Sequence, residues 1–414
     1  MTYTLIHNGT LIDGTGAAPV RDAAVLLRDQ RIQSVGRKAD IPLPDTDITM
    51  IDAAGGTILP GFIDTHVHFS LEGVNLGQMM VTPFSKRFYE AIGRMRRTLD
   101  AGITSVRDAG GADLGMKQAV EQGLVEGPRM QISLTVLSTT GGHTDFWMPS
   151  GMQFELLPSY PGMPGNICDG PDDVRRKVRE VLRAGAEVVK VCSTGGVMSP
   201  TDHPEFVQFT QEELEIIVQE ATFRRGIRVM AHAQGAEGIK NAVRAGIHSI
   251  EHGIYLDGEA IELMVERDTF LVPTLLAPVA VLENAAGGGQ PEYAVHKARE
   301  VLEAHSDSIA RAYQAGVRIA MGTDAGVMAH GTNLRELSLM CDVGLSPMEA
   351  IVATTQTAAQ CLGWDDRLGT LAAGKLADLV VCAGDPLADI DVLQNVDNIR
   401  LVIKDGRIVK QMSD

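Results

Sequence analysis

Between residues 59 and 323, short apolar runs of strand character alternate with segments of helical period eight times over. The alternation predicts strands near 59–65, 103–106, 130–137, 187–192, 228–232, 247–250, 270–274 and 318–323. It predicts helices over Pro83 to Ala101, Pro171 to Ala184, Gln211 to Arg225, Gly235 to Ala245, Glu292 to Ala315 and Pro347 to Leu362. Several of these helices stop at an Ala-Gly pair, as at Ala101-Gly102 and Ala245-Gly246, where Gly can take the left-handed C-terminal turn. A repeated βα unit of this kind points to an α/β fold, a (β/α)8 TIM barrel, in preference to a doubly wound sheet.

The two ends of the chain follow a different pattern. Short alternating segments (Tyr3 to His7, Ala24 to Leu27, Arg31 to Val35, Ile48 to Ile51) are divided by Gly, Asp and Pro and read as small antiparallel β pieces. The style returns in Asp378 to Cys382, Ile399 to Ile403 and, beyond a Lys404-Asp405-Gly406 turn, Arg407 to Val409. Neither end can close a core alone. The expected organisation is a small β-sandwich domain formed by both ends, 1–58 with 365–414, beside a barrel of residues 59–364. Two long connections, 138–170 and 277–290, follow the third and seventh strands. They are expected at the C-terminal mouth of the barrel, where long loops serve as lids.

Composition narrows the partners. A chain of 414 residues with 44% hydrophobic content can bury one large core, and a net charge of -17 excludes a nucleic-acid or anionic-membrane surface. No apolar run is long enough to span a bilayer, and the start lacks a basic, then apolar, leader pattern. The expected location is cytoplasmic and the expected partner a small-molecule substrate, with homo-oligomer assembly left open. Five scattered cysteines without a Cys-x-x-Cys exclude a disulfide framework and a thiolate zinc site.

Candidate chemistry collects at the predicted strand ends. The first strand gives His66 and His68, two residues apart and so on one face of an extended chain. The fourth gives Lys190, the fifth His232, the sixth His252 and the eighth Asp324. Four imidazoles and a carboxylate suit zinc or a similar divalent first-row metal, and they exceed what one open tetrahedral site needs. Two metals resolve the surplus. Lys190 lies in the apolar run Val188-Val189-Lys190-Val191, where desolvation favours the neutral amine. A neutral amine can take up carbon dioxide, and this N6-carboxylation would yield an anionic ligand able to bridge two metals.

In this combination the chain resembles the metal-dependent amidohydrolase superfamily. The resemblance rests on Pro60-Gly61-Phe62-Ile63-Asp64-Thr65-His66-Val67-His68, the strand-end residues above, and the tail Gly369-Thr370-Leu371-Ala372-Ala373-Gly374-Lys375-Leu376-Ala377-Asp378. It implies that His66, His68 and Asp324 bind a more buried metal, that His232 and His252 bind a more exposed one, and that carboxylated Lys190 bridges them. Within the superfamily the chain is similar to the prolidase-like dipeptidases and carboxypeptidases, a group that includes ochratoxin-type amidases. That likeness is carried by Thr104 to Gly111, Gly141-Gly142-His143, Lys190 to Val197 and Ile250 to Gly253. Deaminases usually carry a Glu shortly after the fifth-strand His, where this chain has Ala233-Gln234.

The implied reaction is hydrolysis of a peptide or secondary amide bond next to a free carboxylate, in a dipeptide or an N-acyl amino acid, including ochratoxin-like amides. Asp324 is placed to act as general base, and His143 resembles the family's carbonyl-polarising histidine. Tyr255 resembles the position that contacts the substrate carboxylate. Arg107 could bind that carboxylate bidentately, or pair with Asp108 or Glu251 as scaffold. One alternative is cyclic-amide opening of the imidazolonepropionase type, which works with one metal and no bridging Lys. A non-catalytic barrel scaffold would lack ligands that are all present here. His203, His296, His305 and His330 follow no ligand pattern and read as solvated or structural, and His248 should point away from His252.

Overall fold

The predicted strands pair side by side and in parallel. In the computed structural model, which describes residues 1–73, 75–285 and 290–412, Phe62–Val67 pairs with Ile103–Asp108, and that strand with Arg129–Ile132. Leu134, at φ 69, then turns the chain, so that Val136–Leu137 leaves the first ladder and pairs with Val188–Cys192. Arg228–Ala233, Ser249–His252 and Phe270–Val272 follow in order. These strands are buried on both faces, which explains their near-continuous apolar sequences.

The stretch expected as an eighth strand, 318–323, is an extended staple rather than a ladder. It makes two single bridges, Leu271 to Ile319 and Val67 to Ala325. Leu271 N donates to Arg318 O (2.9 Å) on one side, while Asp324 N donates to His66 O (2.8 Å) and His68 N to Ala325 O (2.7 Å) on the other. Asp324 at φ 62 breaks the extended geometry between the two contacts.

Helices cover the outside and bury one stripe each. Pro171–Arg183 buries Val174, Val178 and Val181, the i, i+4, i+7 face of an amphipathic helix. Gly246 caps Ala236–Ala245 at φ 92, as the Ala-Gly signal predicts. The helix expected over Pro347 to Leu362 is two, Pro347–Ala353 and Gln356–Leu362. The break follows from Thr354, whose backbone carbonyl accepts from Ile63 N (2.8 Å) and whose hydroxyl donates to Ile63 O (3.0 Å), tying it to the first strand instead of the helix. Much of the expected 277–290 connection is also helical, as Leu276–Ala285; Gly287-Gly288-Gly289 lies outside the described residues. The 138–170 connection stays mostly irregular around a short hairpin, Phe146–Trp147 with Gln153–Phe154. Among the described residues, no helix is long and apolar enough to cross a membrane.

Both chain ends enter one eight-stranded sheet. Thr57–Pro60 joins them, pairing in parallel with Thr10 and Leu11 of the strand Tyr3–Leu11 and antiparallel with Leu379–Cys382. Not every pair is antiparallel as the pattern suggests, since Tyr3–Leu11 also runs parallel to Ile48–Asp52. Ile6, Val25, Ile58, Leu379, Val381 and Ile403, drawn from both ends, share one apolar core. Arg129 ties this sheet to the parallel strands through ion pairs with Asp378 and Asp405.

Candidate metal centre

The first strand is locked before it delivers its histidines. Asp64, two residues before His66 and on the same face, accepts from His66 N (3.0 Å), Thr323 Oγ1 (2.6 Å) and Asn333 Nδ2 (2.8 Å). Burial pushes its carboxyl up to about 6, against these hydrogen bonds. The strand end and the Asp324 turn are thereby held together.

Each ring nitrogen facing away from the cluster is occupied. His66 Nδ1 donates to Glu251 Oε2 (2.7 Å), His68 Nδ1 to Gly110 O (2.8 Å) and His252 Nδ1 to Thr274 Oγ1 (2.7 Å). This turns the three Nε2 atoms toward a common centre, the outer-shell device of histidine metal sites. Burial above all holds His66, His232 and His252 well below the ordinary histidine value, and so neutral and able to ligate. Burial also raises the Asp324 carboxyl, but the hydrogen bond from His68 and the electropositive nitrogens around it outweigh that and keep the group below its usual range.

His66, His252 and Asp324 each bring one ligating atom within 4.8 Å of the others, a candidate metal site. His68 Nε2 lies 3.2 Å from Asp324 Oδ1. His232 stands slightly apart: its Nε2 donates to Gly195 O (3.0 Å), and its ring stacks on His143 at 4.1 Å. Among the described residues Lys190 Nζ is buried without a hydrogen-bond partner, and desolvation lowers its pKa. A donor set of imidazoles, one carboxylate and one orphaned amine fits divalent metals of the zinc type.

Two small lobes flank this cluster, and His143, Met198, His232, His252, Asp324 and Val327 line both. Leu71, Val136, Leu156 and Leu157 complete one, and Val197, Ile254, Ala277 and Val281 the other. Lys190 is the one Lys or Arg that lines either lobe among the described residues. A larger cavity of about 640 Å³, lined by Lys117, Arg129, Trp364 and Lys404, lies at the opposite, strand-starting end and, among the described residues, gathers no metal-ligating cluster.

The structure does not bring Arg107 to the lobes as a carboxylate clamp. It is 1% exposed beneath the cluster. Its Nε donates to Thr65 O (2.7 Å), Nη1 to Ser249 Oγ (3.1 Å) and Nη2 to Glu251 Oε1 (2.9 Å), so its fork is spent on scaffold. Tyr255 does not line the lobes either; it packs against the apolar group of Val197, Ile254, Val281 and Val327 behind one of them. His305 and His330 are buried and structural, donating through Nε2 to His252 O (2.9 Å) and His68 O (3.2 Å). His203 is half-buried and His296 is exposed.

Sequence reasoning passed over Asp64 as a site residue and took Glu251 only as a scaffold partner. The i–2 spacing of Asp64 from His66 was a readable signal. Glu251 had none, because strict alternation sends it to the face opposite His252. The left-handed φ of 75 at His252 breaks that alternation and turns both side chains inward.

A parallel βα framework with imidazoles and a carboxylate at its strand ends defines a metallohydrolase-like site. The amidohydrolase family model matches residues 57–409, and the chain belongs to that family. Within it, the chain falls in the prolidase-like group that includes ochratoxinase, and it is a hydrolase acting on amide bonds. The ochratoxinase of Aspergillus niger is 36% identical over 98% of this chain and 86% of its own length. The crystal structure of that enzyme matches with a TM-score of 0.87 at 34% identity, over 99% of this chain and 96% of that one. A Xaa-Pro dipeptidase with methionine bound in its active site matches with a TM-score of 0.90 at 36% identity, covering 98% and 99%. A prolidase complexed with N-methylphosphonate-L-proline reaches 0.92 at 36% identity, covering 99% and 100%.

Proposed function

We propose that the chain is a binuclear metal-dependent amidohydrolase that cleaves a peptide or secondary amide bond next to a free carboxylate, in a dipeptide or an N-acyl amino acid, ochratoxin-like amides among them. The observation that carries this reading is Lys190, an amine 2% exposed and, among the described residues, without a hydrogen-bond partner amid imidazoles and a carboxylate. Left as an amine it costs stability, and as a carbamate it would supply an anionic oxygen ligand to the metals. The ochratoxinase and Xaa-Pro dipeptidase relatives support the substrate class.

Residues 59–364 are read as a (β/α)8 barrel, and residues 1–58 with 365–414 as its small β-sandwich companion. The return of hydrogen bonding from Phe270–Val272 through the 318–325 segment to Phe62–Val67 supports closure. His66, His68 and Asp324 would hold one cation and His232 and His252 the other, with carboxylated Lys190 between them and zinc suited to the set. When bound, such cations supply Lewis acidity that acidifies a water and polarises the scissile carbonyl.

Asp324, the one carboxylate lining both lobes among the described residues, takes a proton from the attacking water and returns it to the leaving amine. His143 faces both lobes and donates toward the scissile oxygen. The apolar lobes exclude water and seat the groups on either side of the bond. Tyr255, packed behind one lobe, is the candidate contact for the substrate carboxylate.

The test is a screen of dipeptides and N-acyl amino acids on wild type and Lys190→Ala, with metal analysis of both. Lys190→Ala is expected to lose at least one metal per chain and about 100-fold or more in kcat/KM. Full activity with two metals retained would sink the binuclear reading, and failure on every carboxylate-bearing amide would sink the substrate class.

A further inference from the structure

The loop 193–209 follows Val188–Cys192 and carries Val197 and Met198 to the lobes. Its buried polar groups are organised around another residue. Lys297, on the long helix Glu292–Gln314, donates from Nζ to Gly196 O (3.0 Å), Ser199 O (2.9 Å) and Asp202 O (2.6 Å), which uses all three ammonium protons. The Asp202 carboxylate lies 3.6 Å from the same nitrogen. It accepts from Gly196 N and from Gln208 Nε2, both at 3.3 Å, and from the Ser199 hydroxyl. Ser199 Oγ lies 2.9 Å from His143 Nδ1, and Asp202 Oδ2 lies 3.7 Å from that nitrogen.

Counting protons gives this chain a direction. Burial raises the Asp202 carboxyl, but the His143 ring, the Ser199 hydroxyl and the charge of Lys297 outweigh it and keep the group below its usual range, so it accepts only. Ser199 has one hydroxyl proton and gives it to Asp202. The contact between Ser199 Oγ and His143 Nδ1 then needs its proton from the ring. Nδ1 is committed, and Nε2 is the nitrogen left for the lobes. Gly196 shapes the cradle, since a Cβ there would sit 2.3 Å from His143 Cε1.

We propose that Ser199, Asp202 and Lys297 form a positioning relay that fixes the orientation of His143 by holding a proton on Nδ1, so that Nε2 alone meets the substrate. The proposal rests on His143 facing substrate in amide hydrolysis, as argued above. Asp202 is also the counter-charge that a ring donating from both nitrogens requires. Lys297 pins three carbonyls of the same loop and keeps Ser199 within reach. Loss of the relay lets the ring rotate and exchange its nitrogens, which weakens transition-state contacts more than the apolar seating of substrate.

Isotope-labelled histidine NMR of the metal-loaded enzyme, with His143 assigned by its absence in His143→Asn, reads the tautomer directly. Wild type is expected to carry a proton on Nδ1. Ser199→Ala and Asp202→Asn are expected to lower kcat about 10- to 100-fold with KM changed less than about threefold, and to shift the His143 nitrogen signals. Ser199→Thr, which keeps the hydroxyl, is expected to restore both, and this pair tests the relay even where Asp202→Asn does not fold. A wild-type ring protonated only on Nε2, or Ser199→Ala with unchanged kcat and unchanged His143 signals, overturns the proposal. Wild type inactive on every amide but with the Nδ1 proton in place leaves the relay supported and fails the functional reading instead.

Discussion

At the scale of single residues, the centre depends on groups that never meet substrate. Glu251 is buried between His66 Nδ1 and Arg107, two donors that it alone links. Glu251→Gln leaves Arg107 as a buried cation without its counter-charge and weakens the hold on His66. The expected loss of folding stability is about 3–5 kcal/mol, read by denaturant titration, with about 10- to 100-fold weaker metal binding, read by competition with a chelator. A variant as stable as wild type would show that Arg107 finds another partner. Tyr255→Phe checks a separate point: KM for a carboxylate-bearing amide should rise while kcat holds, and an unchanged KM removes Tyr255 from the site.

The ligand candidates were legible because each lies within or just beyond an apolar run that can be seen in the sequence, and because His66 and His68 share parity. Their partners were not. Thr274, Ser199 and Asp202 carry no signal of their own, and their roles come from contacts between segments far apart in the chain. Arg107 illustrates the ambiguity of a charged residue at a strand end. The sequence allowed either a clamp or a scaffold, and burial among Thr65, Ser249 and Glu251 decides for the scaffold.

At the scale of elements, the helix Glu292–Gln314 supports the centre from outside. One turn places Lys297 under the 193–209 loop, and two turns later His305 reaches back to the carbonyls of His252 and Pro273 (2.9 and 2.8 Å). The length and period of this helix were readable, but not which of its polar residues would be buried. Burial lowers the His305 pKa from 6.5 to about 4, and among the described residues its Nδ1 has no partner. The folded protein therefore excludes a proton that the unfolded chain binds. The contribution of His305 is complete above pH 6.5 and is lost as the pH falls through about 4, up to about 3 kcal/mol in all. His305→Gln should flatten the stability profile across that window in chemical denaturation at stepped pH. An unchanged profile would assign the acid sensitivity to other groups. The split of the expected Pro347–Leu362 helix was not readable, because both halves keep helical period and the break comes from pairing with Ile63.

At the scale of the whole molecule, the apparent boundary between the end sheet and the parallel strands is crossed by continuous chain. Thr57–Pro60 belongs to one and Phe62–Val67 to the other, with only Gly61 between them, and a Cβ at Gly61 would sit 2.3 Å from Thr104 Oγ1. Gly61 N also donates to Asp378 O (3.0 Å), so strands from both ends brace this joint. We expect one cooperative transition in calorimetry, with chelation lowering its midpoint as a single peak. Two resolved transitions would show that the units unfold independently.

The placement of Thr57–Pro60 also bears on the order in which the protein is made. Its antiparallel neighbour, Leu379–Cys382, is translated more than three hundred residues later, and the strands beyond it later still. At ordinary synthesis rates the N-terminal strands wait roughly 20–70 s with one edge unpaired while the interior βα units emerge and fold. Throughout that interval the open edge is free to pair with another nascent chain. Slowing the ribosome within residues 60–370 should therefore increase aggregation during synthesis even though the finished sequence is unchanged.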